Sequence, residues 1–366
     1  MRIGIFTEMF WPGVGGQEIR FEQLSVALAD RGHDVCVYCI SEDPGLPEHE
    51  VHGGVKIWRC TVDAHFRSQR ISWLRNPITI LRHALRLRRI VEREPFDVVL
   101  YNIWPVFHIL LAPASVRRRA VVDWCEIQQN LPFRMLQRWL PGRVGFNLGV
   151  SPSVTREIAR VPGAKVQFVA SGLTISAYAC RHRADRHGIL YLGRITAHKN
   201  VALLVEAFAR LKARGYAGRL TIAGSGPDLA NLREAVQRSS AKDGIDVLGG
   251  VDDARKIALL ASTEIVVIPS RREGFPRVIA EAMVSGAPVV TVDYPQNGSC
   301  DVVRHYGCGL VTAPDPDALA TGIQSALANW DRFSETGRAG TAELDWTIIA
   351  AQLERYIAPP AAAQPG

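Results

Sequence analysis

Pro269-Ser-Arg-Arg-Glu-Gly-Phe-Pro-Arg-Val-Ile-Ala-Glu281 follows the apolar run Glu264-Ile-Val-Val-Ile268 and leads into Val278-Ile-Ala-Glu-Ala-Met283. The β-branched run predicts a buried strand, Gly274 and Pro276 predict a turn, and the apolar segment beyond them predicts a helix. Strand, turn and helix in that order form the unit of a parallel α/β sheet. Free amides and the dipole at the helix start suit an anion, phosphate above all. Two carboxylates flank this start, Glu273 on the turn and Glu281 eight positions later. They do not attract an anion themselves, and they suit the neutral hydroxyls of whatever the phosphate carries, such as a sugar. One Glu near a helix start is worth roughly 0.3–1 kcal/mol through the dipole and says little by itself. Glu281 says more, because it interrupts an apolar segment, where a carboxylate needs donors that ligand hydroxyls would supply.

The alternation continues to both sides. Strands are predicted at 188–193, 219–223, 245–248 and 288–292, with helices at 201–214, after 227, at 252–260 and at 316–328. In the helix at 201–214, Leu204, Phe208 and Leu211 point inward. The loop Arg194-Ile-Thr-Ala-His-Lys-Asn200 brings Arg194 and Lys199 to a helix start, one as a fork for phosphate oxygens and the other as a point charge. Together with Gly224-Ser-Gly226 and the Glu273 turn, these residues fall at strand carboxyl ends of one sheet, where open α/β sheets bind ligands.

The first half has the same grammar. A strand at 2–7, a Gly-rich turn from Thr7 to Gly16, a helix at 17–31 stopped by Gly32 and a strand at 34–40 open a doubly wound sheet. Gly15 and Gly16 allow a phosphate to approach the backbone. The dinucleotide fingerprint is broken, since Glu18 stands where the third glycine belongs, and a dehydrogenase is disfavoured. Further strands are predicted at 55–59, 97–101, 120–124, 146–151 and 166–170. The helix at 78–93 carries Arg82, Arg86, Arg88, Arg89 and Arg93. It reads first as a solvated face and second as a patch for an anionic membrane or an acidic acceptor. Asp123-Trp-Cys-Glu126 closes a strand at its carboxyl end, a ligand position. Residues 171–188 read as a linker, 346–357 as a last helix and 359–366 as disordered.

With 366 residues, 47% of them hydrophobic, the chain can bury two cores. No apolar run reaches membrane-spanning length, and Met1-Arg-Ile-Gly-Ile-Phe6 starts a strand at once, so no signal peptide is expected. Seven cysteines without paired spacing suit a reducing cytoplasm, and Cys36 and Cys39, inside an apolar strand, read as core thiols. The net charge of +7 is concentrated early: 22 Lys+Arg against 16 Asp+Glu up to residue 172, and 21 against 20 after it. Such a face attracts acidic ligands or headgroups. Arginine outnumbers lysine 37 to 6, which fits codon usage in a GC-rich bacterial genome.

Gly193-Arg194 with Lys199-Asn200, Gly224-Ser-Gly-Pro227, Gly249-Gly-Val251, Pro269-Ser with Glu273-Gly-Phe-Pro276, Glu281-Ala-Met283 and Gly286-Ala-Pro-Val-Val290 form an ordered set. It resembles family 4 of the retaining, nucleotide-sugar-dependent glycosyltransferases, and Pro12-Gly-Val-Gly-Gly16 and Arg31-Gly-His-Asp-Val35 resemble that family's first-domain pattern. The resemblance spans nearly the whole chain. It implies the α/β GT-B fold, two Rossmann-like doubly wound domains facing a cleft. Residues 1–172 would be the acceptor-binding domain, 173–345 the nucleotide-sugar-binding domain, and 346–358 a helix returning to the first domain.

By that resemblance Arg194 and Lys199 hold the donor diphosphate, helped by backbone donors at Gly15 and Gly16, and Gly224 belongs to the donor-binding set. Glu281 holds the ribose hydroxyls. Glu273 faces the transferred sugar, with the turn Gly274, Phe275, Pro276, Arg277 and Val278 around it. No metal or other cofactor is implied, since Arg, Lys, helix dipole and amides stabilise the leaving diphosphate. The donor is UDP-linked as the family default, the acceptor attacks on the same face that the phosphate leaves, assisted by that departing phosphate, and the acceptor is unidentified. The enzyme would be cytoplasmic, with any membrane contact made at the inner face by the basic first domain; nucleic acid is not an expected partner. The competing readings are a GT-B nucleotide-sugar epimerase and a non-catalytic nucleotide-sugar-binding protein.

Two departures stand out. Many members carry His then Asp after a first-domain strand, where this chain has Cys125 and Glu126. The expectation is that Cys125 alters donor-sugar preference, or that Asp123 or Glu126 takes over the polar work. Ser171-Gly-Leu-Thr174 replaces a common Asn-Gly-x-Asp and is expected to affect only a turn. Loops at 60–77 and 126–142 are expected to line the acceptor site, and their aromatic residues Phe66, Trp73, Phe133 and Trp139 read equally as acceptor contacts and as packing.

Overall fold

Strands β1 (Arg2–Phe6) and β2 (Asp34–Ser41) are buried on both faces and lie between parallel neighbours, so their sequences run as continuous apolar stretches with no alternation. A computed structural model describes residues 1–13, 15–67, 75–127 and 131–357. The chain divides into two units, one of Met1–Gly172 with the residues from Trp346 on, the other of Leu173–Asp345.

In the first unit, β3 (His49–His52), β4 (Val55–Val62), β5 (Val98–Asn102), β6 (Val121–Trp124), β7 (Phe146–Gly149) and β8 (Val166–Phe168) complete an eight-stranded sheet. Its order is β3-β4-β2-β1-β5-β6-β7-β8, parallel except for the β3–β4 hairpin at the edge. Cys36 and Cys39 lie buried in β2 with thiols pushed up chiefly by burial, as core residues. The helix Gly16–Asp30 packs against the C-terminal helix Trp346–Ile357. Trp346 Nε1 donates to Gln23 Oε1 (2.6 Å), and Glu354 accepts from Arg31 (2.5 and 2.7 Å), with His33 Nε2 2.8 Å away. The Arg31 hydrogen bonds hold the Glu354 carboxyl down at about 2. A Cβ on Gly172 would sit 2.6 Å from the Trp346 ring, so the chain leaves the unit on the one residue that fits under the indole.

Two histidines are sealed behind this sheet. His83, on the helix Pro77–Arg93, has Nδ1 3.1 Å from Thr61 Oγ1, and His108, on Phe107–Leu110, has Nε2 2.7 Å from Asn102 O. Burial pushes both down to about 3, and for His83 the nearby His108 and Arg86 add to it. A ring depressed in the folded state binds its proton more readily unfolded. Stability is therefore lost as pH falls from the ordinary histidine value toward about 3, by about 2 kcal/mol per ring at about pH 5. Urea unfolding at neutral and mildly acidic pH should show this loss, and His83→Gln should reduce its slope by roughly half whatever the variant costs at neutral pH. An unchanged slope would refute the assignment.

The second unit has a six-stranded, all-parallel sheet of β9 (Ile189–Leu192), β10 (Leu220–Ala223), β11 (Ile245–Gly249), β12 (Ile265–Ile268), β14 (Val289–Val292) and β16 (Gly309–Thr312). The order is β11-β10-β9-β12-β14-β16. Two short strands outside it, β13 (Arg272–Glu273) and β15 (Gln296–Asn297), pair with each other. Leu204, Phe208 and Leu211 on the helix Val201–Ala213 are fully buried against the sheet, as their spacing predicts. The helices Ser299–Tyr306 and Trp330–Ala339 and strand β16 lie outside the segments the periodicity marked. Among the described residues no helix is long and apolar enough to cross a membrane.

Candidate active site

At the carboxyl ends of β9 and β10, backbone runs against backbone. Ile195 N donates to Ser225 O (2.8 Å) and Gly193 N to Ala223 O (3.0 Å). A Cβ on Gly224 would lie 1.8 Å from Gly193 O, and one on Gly226 would lie 2.1 Å from Ile195 O. The glycines are thus demanded by closeness, and Arg194 projects exposed from the loop between them and the helix. Tyr191 OH donates to Arg194 O (3.0 Å), fixing the loop from below, and its phenol is pushed up by burial and then by Glu273. Lys199 ends a short turn, Ala197–Lys199, and Asn200 takes a left-handed φ of 54°, a conformation asparagine tolerates better than most residues. Arg271 N donates to His198 O (2.8 Å), joining this loop to the one after β12. Burial, then Lys199, pushes the His198 ring below its ordinary value.

The two loops meet in one contact: Lys199 Nζ donates to Glu273 Oε1 at 2.6 Å, with the side chains 21% and 10% exposed. Glu273 is held from the other side by β15. It pairs with Asn297, and its carbonyl accepts from Gly298 N (2.9 Å). A Cβ on Gly298 would sit 2.2 Å from Gly274 O. Asn297 Nδ2 in turn donates to Thr291 Oγ1 (3.1 Å) and Val292 O (2.8 Å). Sequence reasoning missed Asn297 and Gly298, because Tyr294-Pro-Gln-Asn-Gly-Ser reads only as a loop; the Asn-Gly pair was the available signal. Buried Ser270 Oγ and Ser299 Oγ, on the segments beside this clamp, have no hydrogen-bond partner among the described residues.

Gly274, Phe275 and Val278 are half-buried, Pro276 is buried, and the helix starts at Arg277 with no side-chain cap. Glu281, 5% exposed on that helix, already has donors inside the protein. Tyr178 OH lies 3.0 Å and Lys256 Nζ 3.4 Å from its Oε1. This corrects the expectation that an apolar setting leaves Glu281 dependent on ligand hydroxyls: the protein supplies donors, and both fall on Oε1. Lys256 also pairs with Asp253 (2.7 Å), whose carboxyl it holds below the usual range. Arg277, counted in sequence only as part of the turn, acts on both Tyr178 and Asp253, and its Nη1 is buried without a hydrogen-bond partner among the described residues.

In the first unit the Gly-rich turn is occupied. A Cβ on Gly15 would meet the Glu18 carboxylate at 2.0 Å, whereas Gly16 faces open space. An anion approaching the Gly15 backbone would have to displace Glu18. At the carboxyl edge of this sheet, Gln17 Nε2 donates to Cys125 Sγ, and Asn102 Nδ2 donates to both Gln17 Oε1 (3.2 Å) and Thr7 Oγ1 (3.2 Å). Burial, then Glu126 and Asp123, pushes the Cys125 thiol well up, which makes it a neutral group and no thiolate nucleophile. Glu126 is half-buried on the same loop.

Asp123 needs a correction. It is fully buried, and its Oδ2 accepts from Arg20 Nη2 (2.8 Å) and Nε (3.1 Å), while Arg20 also donates to Ala170 O (2.6 Å) and Val169 O (3.0 Å). Through Arg20 it ties the sheet edge together, a structural task the sequence did not assign to it. Arg20 was legible: it stands four residues before Leu24, on the buried stripe of its helix. Among the aromatic residues proposed for an acceptor, Phe66 is fully buried packing, Phe133 rests on Trp104 (5.0 Å), Trp139 is exposed, and Trp73 lies outside the described residues.

Residues 15–172 match the family model described as "Glycosyl transferase 4-like domain", and residues 181–342 match "Glycosyl transferases group 1". The chain is 27% identical to a glycogen synthase of Mycobacterium tuberculosis, covering 94% of this chain and 91% of that protein. By fold it is similar to a sucrose-phosphate synthase from Thermosynechococcus elongatus, with a TM-score of 0.79, 20% identity and 97% of each chain covered. It is also similar to Anabaena Alr3699/HepE, solved in complex with UDP-glucose, with a TM-score of 0.70 and 17% identity over 97% of this chain and 98% of that one.

Proposed function

We propose a function from one premise: the chain belongs to the family 4 glycosyltransferases and has their GT-B fold. It moves a sugar from a nucleotide diphosphate-sugar, UDP-linked, to an acceptor hydroxyl with retention of configuration and without a metal. The observation that carries the donor reading is the Lys199–Glu273 contact at the mouth of the glycine loops. Lys199 without ligand is matched by a carboxylate. A diphosphate at the loops offers it a second, stronger partner, and Glu273 is then released to accept from the sugar's hydroxyls. Arg194, exposed on the same loop, adds a bidentate grip, and the uncapped helix start at Arg277 adds its dipole. On this reading these cations and amides stabilise the charge that develops on the leaving diphosphate, the role a divalent ion otherwise fills. Tyr178 and Lys256 hold Glu281 Oε1, and on this reading Oε2 is left to accept from the ribose hydroxyls. The UDP-glucose complex of Alr3699/HepE supports the choice of nucleotide.

A thermal-shift screen of nucleotide sugars, followed by mass detection of products with pooled acceptors, tests the reading. Stabilisation by a UDP-sugar, transfer that persists in EDTA, and a product anomer matching the donor are expected. Transfer abolished by EDTA and restored by a divalent ion would overturn the metal-independent part. Release of UDP with an epimerised free sugar and no glycoside would favour the epimerase.

A further inference from the structure

The first unit presents an apolar surface that its own core does not use. The crossovers from β4 to β5, β5 to β6 and β6 to β7 all step the same way along the sheet, so the right-handed rule puts their helices on one face. These are Pro77–Arg93, Phe107–Leu110 and Leu131–Trp139. The first packs on the second, and Trp104, just before the second, meets Phe133 on the third at 5.0 Å. The helix Leu131–Trp139 buries none of its residues. Leu131 and Met135 are 70% and 66% exposed, with Trp139 one turn further on the same stripe. On Pro77–Arg93, Ile78, Leu81 and Leu85 form a second exposed stripe at i, i+3 and i+7.

Arginine frames both stripes. Segments 77–93, 114–119 and 131–139 contain ten arginines and a single acid, Glu92, which pairs with Arg88 at 3.0 Å. The Trp139 ring lies beneath Arg143 (4.7 Å) and Arg117 (5.9 Å). A solvated helix face needs no exposed Leu, Met and Ile in register. A second copy docked face to face would set these arginines against one another. A nucleic acid would use the charge and leave the aliphatic side chains idle. An anionic bilayer uses both: headgroups pair with the guanidinium groups, aliphatic side chains enter the acyl boundary, and an indole flanked by cations suits the interface.

We propose that this face, centred on the helix Leu131–Trp139, seats the protein on an anionic lipid surface. The assignment does not depend on the donor chemistry above. The full chain should sediment with vesicles of equimolar phosphatidylglycerol and phosphatidylcholine, and far less with phosphatidylcholine alone. Arg134→Gln with Arg138→Gln should weaken partitioning by about tenfold or more. Leu131→Ser with Met135→Ser should weaken it by about tenfold and leave the melting temperature unchanged, because neither side chain is packed. Binding should blue-shift tryptophan emission, and Trp139→Phe should remove most of that shift. The proposal is overturned if the chain ignores anionic vesicles, if the serine pair binds them like the parent, or if single-stranded RNA displaces the vesicles from a site those serines leave intact.

Discussion

Lys199→Ala and Glu273→Gln should each lower kcat/KM for sugar transfer by about 100- to 1,000-fold, the range for losing one preorganised charge or hydrogen-bonding group at a reacting centre. The two side chains touch at 2.6 Å and are largely shielded from water, so each fixes the other's position before any ligand arrives. On the proposed donor reading, removing Lys199 takes a positive charge from the leaving diphosphate, a loss expected mainly in kcat. On the same reading, removing the Glu273 charge weakens hydrogen bonds to the donor sugar, so transfer should slow and donor specificity should loosen. Because the residues act as one unit, the double variant should fall well short of the product of the single effects. Steady-state kinetics on the four proteins decides this, with circular dichroism to confirm the fold. Near-parent turnover of either single variant at saturating donor would remove the pair from the reaction.

The parallel sheets were legible because β1, β2, β12 and β14 are buried on both faces and so carry unbroken apolar runs. The edge strand β3, His-Glu-Val-His, gave no such run, since it is held by the β3–β4 hairpin and half-exposed. Lys199 and Glu273 were readable as loop residues at strand ends, because parallel topology forces those ends together. What holds them was not readable. The β13–β15 pairing joins segments 24 residues apart through two-residue strands, too short for any periodicity. Glu281 shows the opposite limit. Its polar character in an apolar helix was visible, but the source of its donors, Tyr178 from 103 positions earlier and Lys256 from another helix, is a tertiary fact. The setting of Asp123 was out of reach for the same reason: the partner that meets this strand-end carboxylate, Arg20, comes from another element.

That buried pair yields the largest stability effect expected in the first unit. Arg20→Met should destabilise it by about 3–5 kcal/mol, the usual cost of stranding one member of a buried ion pair. The side chains are 3% and 1% exposed, so water cannot replace the lost partner. Asp123 Oδ1 has no hydrogen bond among the described residues, and after the change Oδ2 would lose both of its Arg20 bonds as well. The carbonyls of Val169 and Ala170 lose their donor at the same time, loosening the chain just before it leaves the unit at Gly172. Adding Asp123→Leu to Arg20→Met should recover most of the loss, because replacing both charges by apolar groups removes the uncompensated one. Calorimetric melts of the parent, the single and the double variant measure both steps. A single variant melting within a degree or so of the parent would mean that the pair does not hold the sheet edge, and that Cys125, two residues beyond Asp123, is positioned by Gln17 alone.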